Sequence, residues 1–159
     1  MKSAALRYAD LGYRVFPCRS NSKLPATAHG CLEATCDPDL IEIWWTAHPG
    51  ANIGLATDGL LVIDVDGRQN PWLDDPERVL ELSAAPNSLT PKGKHFFFRH
   101  AAGKCSVGTL ADHVDTRGAG GYVIVPPSIV VGIQYTWITE LDMPTDQLPE
   151  PPRWILEDK

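Results

Sequence analysis

The stretch Leu60-Leu61-Val62-Ile63-Asp64-Val65-Asp66-Gly67 decides how the rest of the chain is read. Its apolar, β-branched run predicts a central strand that ends in two carboxylates and a glycine. Side chains of a strand alternate between faces, so Asp64 and Asp66 share one face, roughly 6–7 Å apart at about 3.3 Å per residue. Ile63 and Val65 then point the other way, into a core. Two carboxylates at a strand end suit hard, oxygen-seeking cations such as Mg²⁺. Phosphoryl-transfer sites often hold two such ions about 3.5–4 Å apart. An Asp-x-Asp-Gly run is also what a strand entering a turn looks like. The uniformly apolar residues before it and a third carboxylate downstream tip the reading towards a site. Central strands of open α/β sheets deliver functional groups at their carboxyl ends.

The third carboxylate belongs to the segment from His113 to Ser128. Here a short strand places Asp115 and Arg117 on one face. Gly118, Gly120 and Gly121 let the backbone turn tightly. A second strand, Tyr122 to Val125, is stopped by Pro126-Pro127, which cannot donate to a ladder. The expectation is a hairpin carrying an acid and a base at its loop end. An ordinary glycine-turn hairpin with an exposed Asp–Arg pair fits the same residues equally well. Between the two acidic segments, Leu89 to His100 runs from a basic Pro-Lys-Gly-Lys turn into an aromatic strand that His95 begins. Ammonium groups and an imidazole at a strand mouth suit a triphosphate, although a basic turn alone is most often only solvated.

The order of these motifs resembles a known family. Asp-x-Asp comes first, then Gly-x-His entering an aromatic strand. Val-Asp-x-Arg-Gly-x-Gly-Gly-Tyr-Val-x-x-Pro-Pro-Ser follows. Together they look like the bifunctional DNA primase/polymerase (prim-pol) domain of the archaeo-eukaryotic primase superfamily, found in plasmid, phage and mobile-element replication proteins. Leu11 to Pro17, Lys23-Leu24-Pro25, His29-Gly30, Ala34 to Pro38, Trp44-Trp45, Asn52-Ile53-Gly54, Gly132 to Trp137 and Leu148 to Trp154 extend the resemblance over nearly the whole chain. It implies an α/β (α+β) fold, with an RRM-like catalytic half packed on a smaller N-terminal α/β unit. It implies a template-dependent nucleotidyltransferase that makes RNA or DNA primers and extends DNA with two Mg²⁺ or Mn²⁺ ions. Asp64, Asp66 and Asp115 match the family's metal-binding carboxylates, and His95 its histidine on the phosphates of the incoming nucleotide. Lys94 would join His95 there, while Lys23, Asn52 and Arg117 match recurring positions. In one departure, the family often has a serine or glycine two positions before this histidine, with an arginine or lysine between; here these are Gly93 and Lys94, so a serine hydroxyl contact is missing. The implied partners are a single-stranded DNA template and NTP or dNTP, with a helicase domain in a longer parent chain.

Composition agrees, with one tension. The 159 residues fit a single catalytic domain spanning 1–159, with about 149–159 as a tail or the start of a linker. No apolar run reaches membrane-span length. Met1-Lys2-Ser3-Ala4 lacks a signal-peptide core, so a cytoplasmic location is expected. Cys18, Cys31, Cys36 and Cys105 form no Cys-x-x-Cys pair and are expected to be reduced rather than to hold zinc. The tension is the net charge of −6, since nucleic-acid binders usually carry a basic patch. Asp64, Asp66 and Asp115 would be neutralised by cations, and Lys92 to Lys104 supplies a basic stripe. Weak, salt-sensitive template binding is therefore expected. Two other classes fit the same carboxylates: a metal-dependent nuclease needing no NTP, and a non-catalytic nucleotide- or DNA-binding module.

Capping signals predict helices over Ser3–Leu11, Asp37–Trp45 and Asp75–Leu82. Trp44 and Trp45 are expected to pack rather than stack on bases. Ile53–Ala56 and Leu60–Val65 read as a hairpin. Further strands are expected near residues 13–17, 88–89, 95–99, 114–116, 122–125 and 135–138.

Overall fold

Helix α1 (Lys2–Asp10) ends where Gly12 takes φ +97° and turns the chain out of it. Helices α2 (Pro38–Ala47) and α3 (Pro76–Leu82) open at Asp-Pro pairs. Asp37 accepts a hydrogen bond from the N–H of Asp39, and Asp75 from those of Glu77 and Arg78. Each carboxylate satisfies first-turn donors that lack a helical partner, and each proline brings φ ready for the helix. Helix α4 (Arg153–Glu157) falls in the expected tail. These elements are those of a computed structural model that describes residues 1–67 and 69–157. The last two residues of the expected tail, Asp158 and Lys159, lie outside the described residues.

Two sheets organise the chain, and it is α+β. The smaller runs β1 (Val15–Cys18), β2 (Asn52–Ala56) and β8 (Tyr122–Ile124). The larger has the order β11 (Thr136–Thr139), β4 (Asn87–Leu89), β5 (Gly93–Arg99), β3 (Leu60–Asp66), β7 (Val114–Arg117) and β6 (Ser106–Ala111). A short hairpin joins β9 (Ile129–Val130) to β10 (Ile133–Gln134). All these pairings are antiparallel. The central strand therefore lies in an antiparallel sheet and not in an open α/β sheet.

Two expected hairpins do not form. β2 and β3 belong to different sheets, because β3 finds in β5 a partner of equal length with seven registered pairs and takes β7 on its other edge. Likewise the glycine turn after Arg117 does not fold β8 back on β7. It carries the chain from the larger sheet to the smaller, where β8 pairs β2. The smaller unit is thus not purely N-terminal, since its third strand comes from residues 122–124. The hairpin partner of β7 is β6, Ser106–Ala111, a partly exposed strand interrupted by Gly108 that the sequence reading did not expect.

β3 is buried on both faces. Leu60 and Val62 pack with Phe97 among residues from α1, α2 and the smaller sheet, including Tyr8, Ile41 and Trp45. Leu61, Ile63 and Val65 pack with Phe96, Phe98, Trp72, Leu82 and Ile155. Burying each such side chain contributes roughly 1.5–3 kcal/mol, so the strand's position is firmly set. Trp45 is in the core, its indole N–H donating to Ala51 O at 2.9 Å, and Trp44 meets it edge to face at 6.3 Å. The four cysteines are free thiols. Among the described residues no helix is long and apolar enough to cross a membrane.

Candidate active site

Register builds the site. Trp137, Ser88, His95, Asp64 and Asp115 are cross-strand neighbours in one row over β11, β4, β5, β3 and β7. Residues directly opposite in an antiparallel ladder point to the same face. This is the face of Leu60 and Val62, continued past the end of their apolar cover. Asp66 and Arg117 lie two residues along their strands from Asp64 and Asp115, so they share the face too. Part of this face opens on a cavity of about 460 Å³ lined by Lys23, Asp64, His95, Arg117, Tyr122 and Tyr135; Asp66 lines a neighbouring hollow with Gly67, Asn70 and Trp72, and Asp115 lines neither. Sequence alternation places Asp64 and Asp66 together, and Asp115 with Arg117; the folded register brings the two pairs side by side.

The three carboxylates stand in different environments. His95 Nε2 is 3.3 Å from Asp64 Oδ1, and both side chains are largely buried. Burial pushes the Asp64 carboxyl up. The contact and charge of His95, with Arg117 and Lys23 nearby, outweigh it and hold the group below the usual carboxylate range. For Asp66, burial acts in the same direction as the negative charges of Asp64 and Asp115. Its carboxyl is raised despite Lys23 and Lys92. Asp115 is occupied within its own hairpin: Oδ1 accepts the Gly108 N–H at 2.9 Å and Oδ2 faces Arg117 Nη2 at 3.6 Å.

Lys94 and Asn52 are not where the sequence reading put them to use. β5 begins at Gly93, so Lys94 is already in the strand and alternates away from His95. It pairs in register with Val65, on the opposite face. The expectation that Lys94 and His95 grip one phosphate chain therefore fails on strand alternation. Asn52 is buried, and its amide is committed to the backbone. Nδ2 donates to Ser22 O and Ile129 O, and Oδ1 accepts the Ile129 N–H. It braces the loop carrying Lys23 and does not face the cavity. Lys23 itself reaches the rim, its carbonyl fixed by the Tyr122 hydroxyl at 2.8 Å. The missing serine before His95 also has a steric cause. A Cβ at position 93 would lie 1.8 Å from Val65 O, so only glycine lets β5 approach β3 there.

Tyr135 and Tyr122 are cavity residues that the sequence reading passed over. Tyr135 reads locally as one more core aromatic. In the fold its ring lies 6.2 Å from His95, and burial with the charges of Asp64 and Asp66 pushes its phenol well up.

The donor chemistry of Asp64 and Asp66 fits a divalent cation. Both offer hard oxygens from one face, and the mutual repulsion that raises Asp66 is what a cation relieves. Asp115 does not converge with them into a ready three-carboxylate cage. Among the described residues no three Asp, Glu, His or Cys side chains gather closely enough to share an ion. The arrangement is a carboxylate pair with a latched third acid one strand away.

Such a face, with acids on the central strands and cations around a cavity, has the chemical character expected of a nucleotide-handling site. No curated protein matches the chain by sequence. The family model for the bifunctional DNA primase/polymerase N-terminal domain (Prim-Pol) matches residues 5–154. That is nearly the whole chain, and the chain belongs to this family.

Proposed function

We propose that this chain is a template-directed nucleotidyltransferase, synthesising primers and extending DNA on a single-stranded template from NTP or dNTP. The observation that carries the reading is the His95–Asp64 pair lining one cavity with Lys23 and Arg117, with Asp115 next in the same cross-strand row. Family membership supplies the reaction class. In the reaction the primer 3′-oxygen bonds to the α-phosphorus, the bond to the β-phosphate oxygen breaks, and pyrophosphate leaves. Asp64 and Asp66 would hold divalent Mg²⁺ or Mn²⁺, with Asp115 as the third ligand once its latch opens. Bound there, the ions lower the pKa of the attacking hydroxyl and offset charge on the leaving group.

The chain's own residues do the rest. His95 Nε2 lies 3.3 Å from the anionic Asp64 Oδ1, and a phosphate oxygen would be an anionic neighbour of the same kind. Lys23 and Arg117 bring two fixed positive charges to the cavity rim and stabilise the triphosphate as negative charge builds on it. Tyr122 and Tyr135 wall the cavity.

The test is incubation with single-stranded DNA, labelled NTP or dNTP and Mg²⁺ or Mn²⁺, with and without primer. Templated product is the expected result. Release of nucleotides from DNA without any NTP would assign a nuclease instead. Nucleotide binding without turnover would assign a binding module.

A further inference from the structure

The chain has four tyrosines, and three of them commit their hydroxyls to the main chain. Tyr8 donates to Pro126 O at 2.6 Å, Tyr13 to Met143 O at 2.9 Å and Tyr122 to Lys23 O at 2.8 Å. The fourth, Tyr135, is 1% exposed, yet its hydroxyl has no hydrogen-bond partner among the described residues. A buried tyrosine ordinarily finds such a partner, because an unmade bond is costly. The hydroxyl is not sealed in: the sealed orphan atoms are Ser88 Oγ and His95 Nδ1. It is therefore reached from the open space of the cavity that Tyr135 lines.

The ring that carries it is fixed. Tyr135 packs with Phe16, Cys18, Ile124 and Val130. Its backbone N–H donates to Ser128 O at 2.8 Å, and its ring lies 6.2 Å from that of His95. The wall around it is already specialised. Lys23 and Arg117 answer phosphate charge, and Asp64 answers a cation. Other neutral groups of the wall are occupied. Tyr122 is on Lys23 O, and the Cys31 and Cys105 thiols are on Gly120 O and Ala119 O. The N–H groups of Gly120 and Gly121 are on Asp58 and Gly118. Of a nucleoside triphosphate whose base pairs with the template, the sugar remains to be met. A sugar hydroxyl is neutral and both donates and accepts, as a phenol does.

We propose that Tyr135 is the sugar-reading residue of the cavity: its hydroxyl bonds a ribose or deoxyribose hydroxyl of the incoming nucleotide. This role rests on the nucleotide reading of the cavity. The 2′ and 3′ hydroxyls offer the same chemistry, and nucleotides lacking one or both tell them apart. Because the ring is held by packing, removing its one oxygen removes one hydrogen bond and leaves the wall in place.

The experiment is calorimetric titration of wild type and Tyr135→Phe, in excess Mg²⁺, with NTP, dNTP, 2′,3′-dideoxy-NTP and inorganic tripolyphosphate. Expected for Tyr135→Phe is a loss of affinity of roughly three- to tenfold, the worth of one neutral hydrogen bond, for each nucleotide that keeps the hydroxyl being read. A loss confined to NTP assigns the 2′ hydroxyl, and a loss shared by NTP and dNTP assigns the 3′ hydroxyl. Dideoxy-NTP and tripolyphosphate should bind both proteins alike. A loss shared by dideoxy-NTP or tripolyphosphate would place the contact elsewhere on the ligand and overturn the proposal, as would no loss for any ligand. Should Tyr135→Phe fail to fold, wild type decides, since a site that bonds a hydroxyl rejects the analogue lacking it. Dideoxy-NTP binding as tightly as NTP and dNTP overturns the proposal, and weaker dideoxy binding supports it. Wild type that binds none of the four ligands overturns the nucleotide reading and the proposal with it, whereas binding with an unchanged profile in Tyr135→Phe removes the role of Tyr135 alone.

Discussion

The acidic end of β3 and the β6–β7 hairpin carry the same functional groups in opposite states. On β3 the carboxylates are crowded: Asp66 is raised by burial and by Asp64, and no described side chain forms an ion pair with it. On the hairpin, Asp115 is satisfied by the Gly108 N–H and Arg117. The central strand, pinned by two apolar layers, can hold like charges together at a cost. The edge hairpin, with exposed residues and a shifted register, has the freedom to neutralise its acid locally. The pinned scaffold concentrates like charge, and the exposed edge neutralises its acid within its own hairpin.

The largest effect should come from the pinned end. Asp64→Ala or Asp66→Ala should lower synthesis on the order of 10²-fold or more, as expected when the reacting groups lose their positioning. Circular dichroism should show the fold retained. Full polymerase activity in either purified variant would break the contrast at its root. Next is His95→Ala. It should raise the nucleotide KM by one to two decades, the worth of a charge-assisted hydrogen bond of about 1.5–3 kcal/mol. Metal affinity of the nucleotide-free protein should stay near wild type, and Lys94→Ala, altering the opposite face, should change neither. Calorimetric titration with nucleotide and with Mn²⁺ separates these results.

The hairpin gives the third test. If Asp115 is recruited when substrate binds, Asp115→Asn should reduce Mn²⁺ affinity and rate together by about tenfold. If it only latches the hairpin, the change should cost about 0–1 kcal/mol of stability, as for partly exposed ion pairs, and leave turnover alone. The smallest effect is on stability and pH. The Asp66 carboxyl is raised on folding, so its ionised form opposes folding above that raised pKa. The penalty fades as pH falls towards the unfolded value of about 3.9. Asp66→Asn should therefore melt about 1–3 °C above wild type at pH 7 and show no advantage below about pH 4. Asp64 is lowered, and the sign reverses. Its contribution is present above about pH 3.9 and is lost as pH falls through its depressed folded pKa, so Asp64→Asn should melt lower at pH 7.

What could be read from the sequence was local. Asp37-Pro38 and Asp75-Pro76 announce their helices, because a cap and its first turn are neighbours along the chain. Alternation puts Asp64 with Asp66 and Asp115 with Arg117. Which strand lies beside which is not local. Both hairpins assumed from adjacency failed: β3 is claimed on its two edges by β5 and β7, and β7 by β3 and β6, while β8 pairs β2. Lys94 was misplaced because the strand already starts at Gly93, which puts Lys94 inside the alternation, one residue from His95 and so on the other face. Asn52 looked like a ligand because nothing in the sequence shows where an amide's partners lie; they are backbone groups at Ser22 and Ile129.

Those bonds of Asn52 bear on when activity can arise during synthesis. They tie residues 22, 52 and 129, and the cavity adds Tyr135. A ribosome-bound chain can complete α1, α2 and α3 early, yet the Lys23 carbonyl gains its anchor only after Tyr122 has emerged, and Asn52 its partner only after residue 129. Tyr135 closes the wall later still. The cavity is therefore completed only once residue 135 is made, well after the acidic strand end at Asp64 and Asp66.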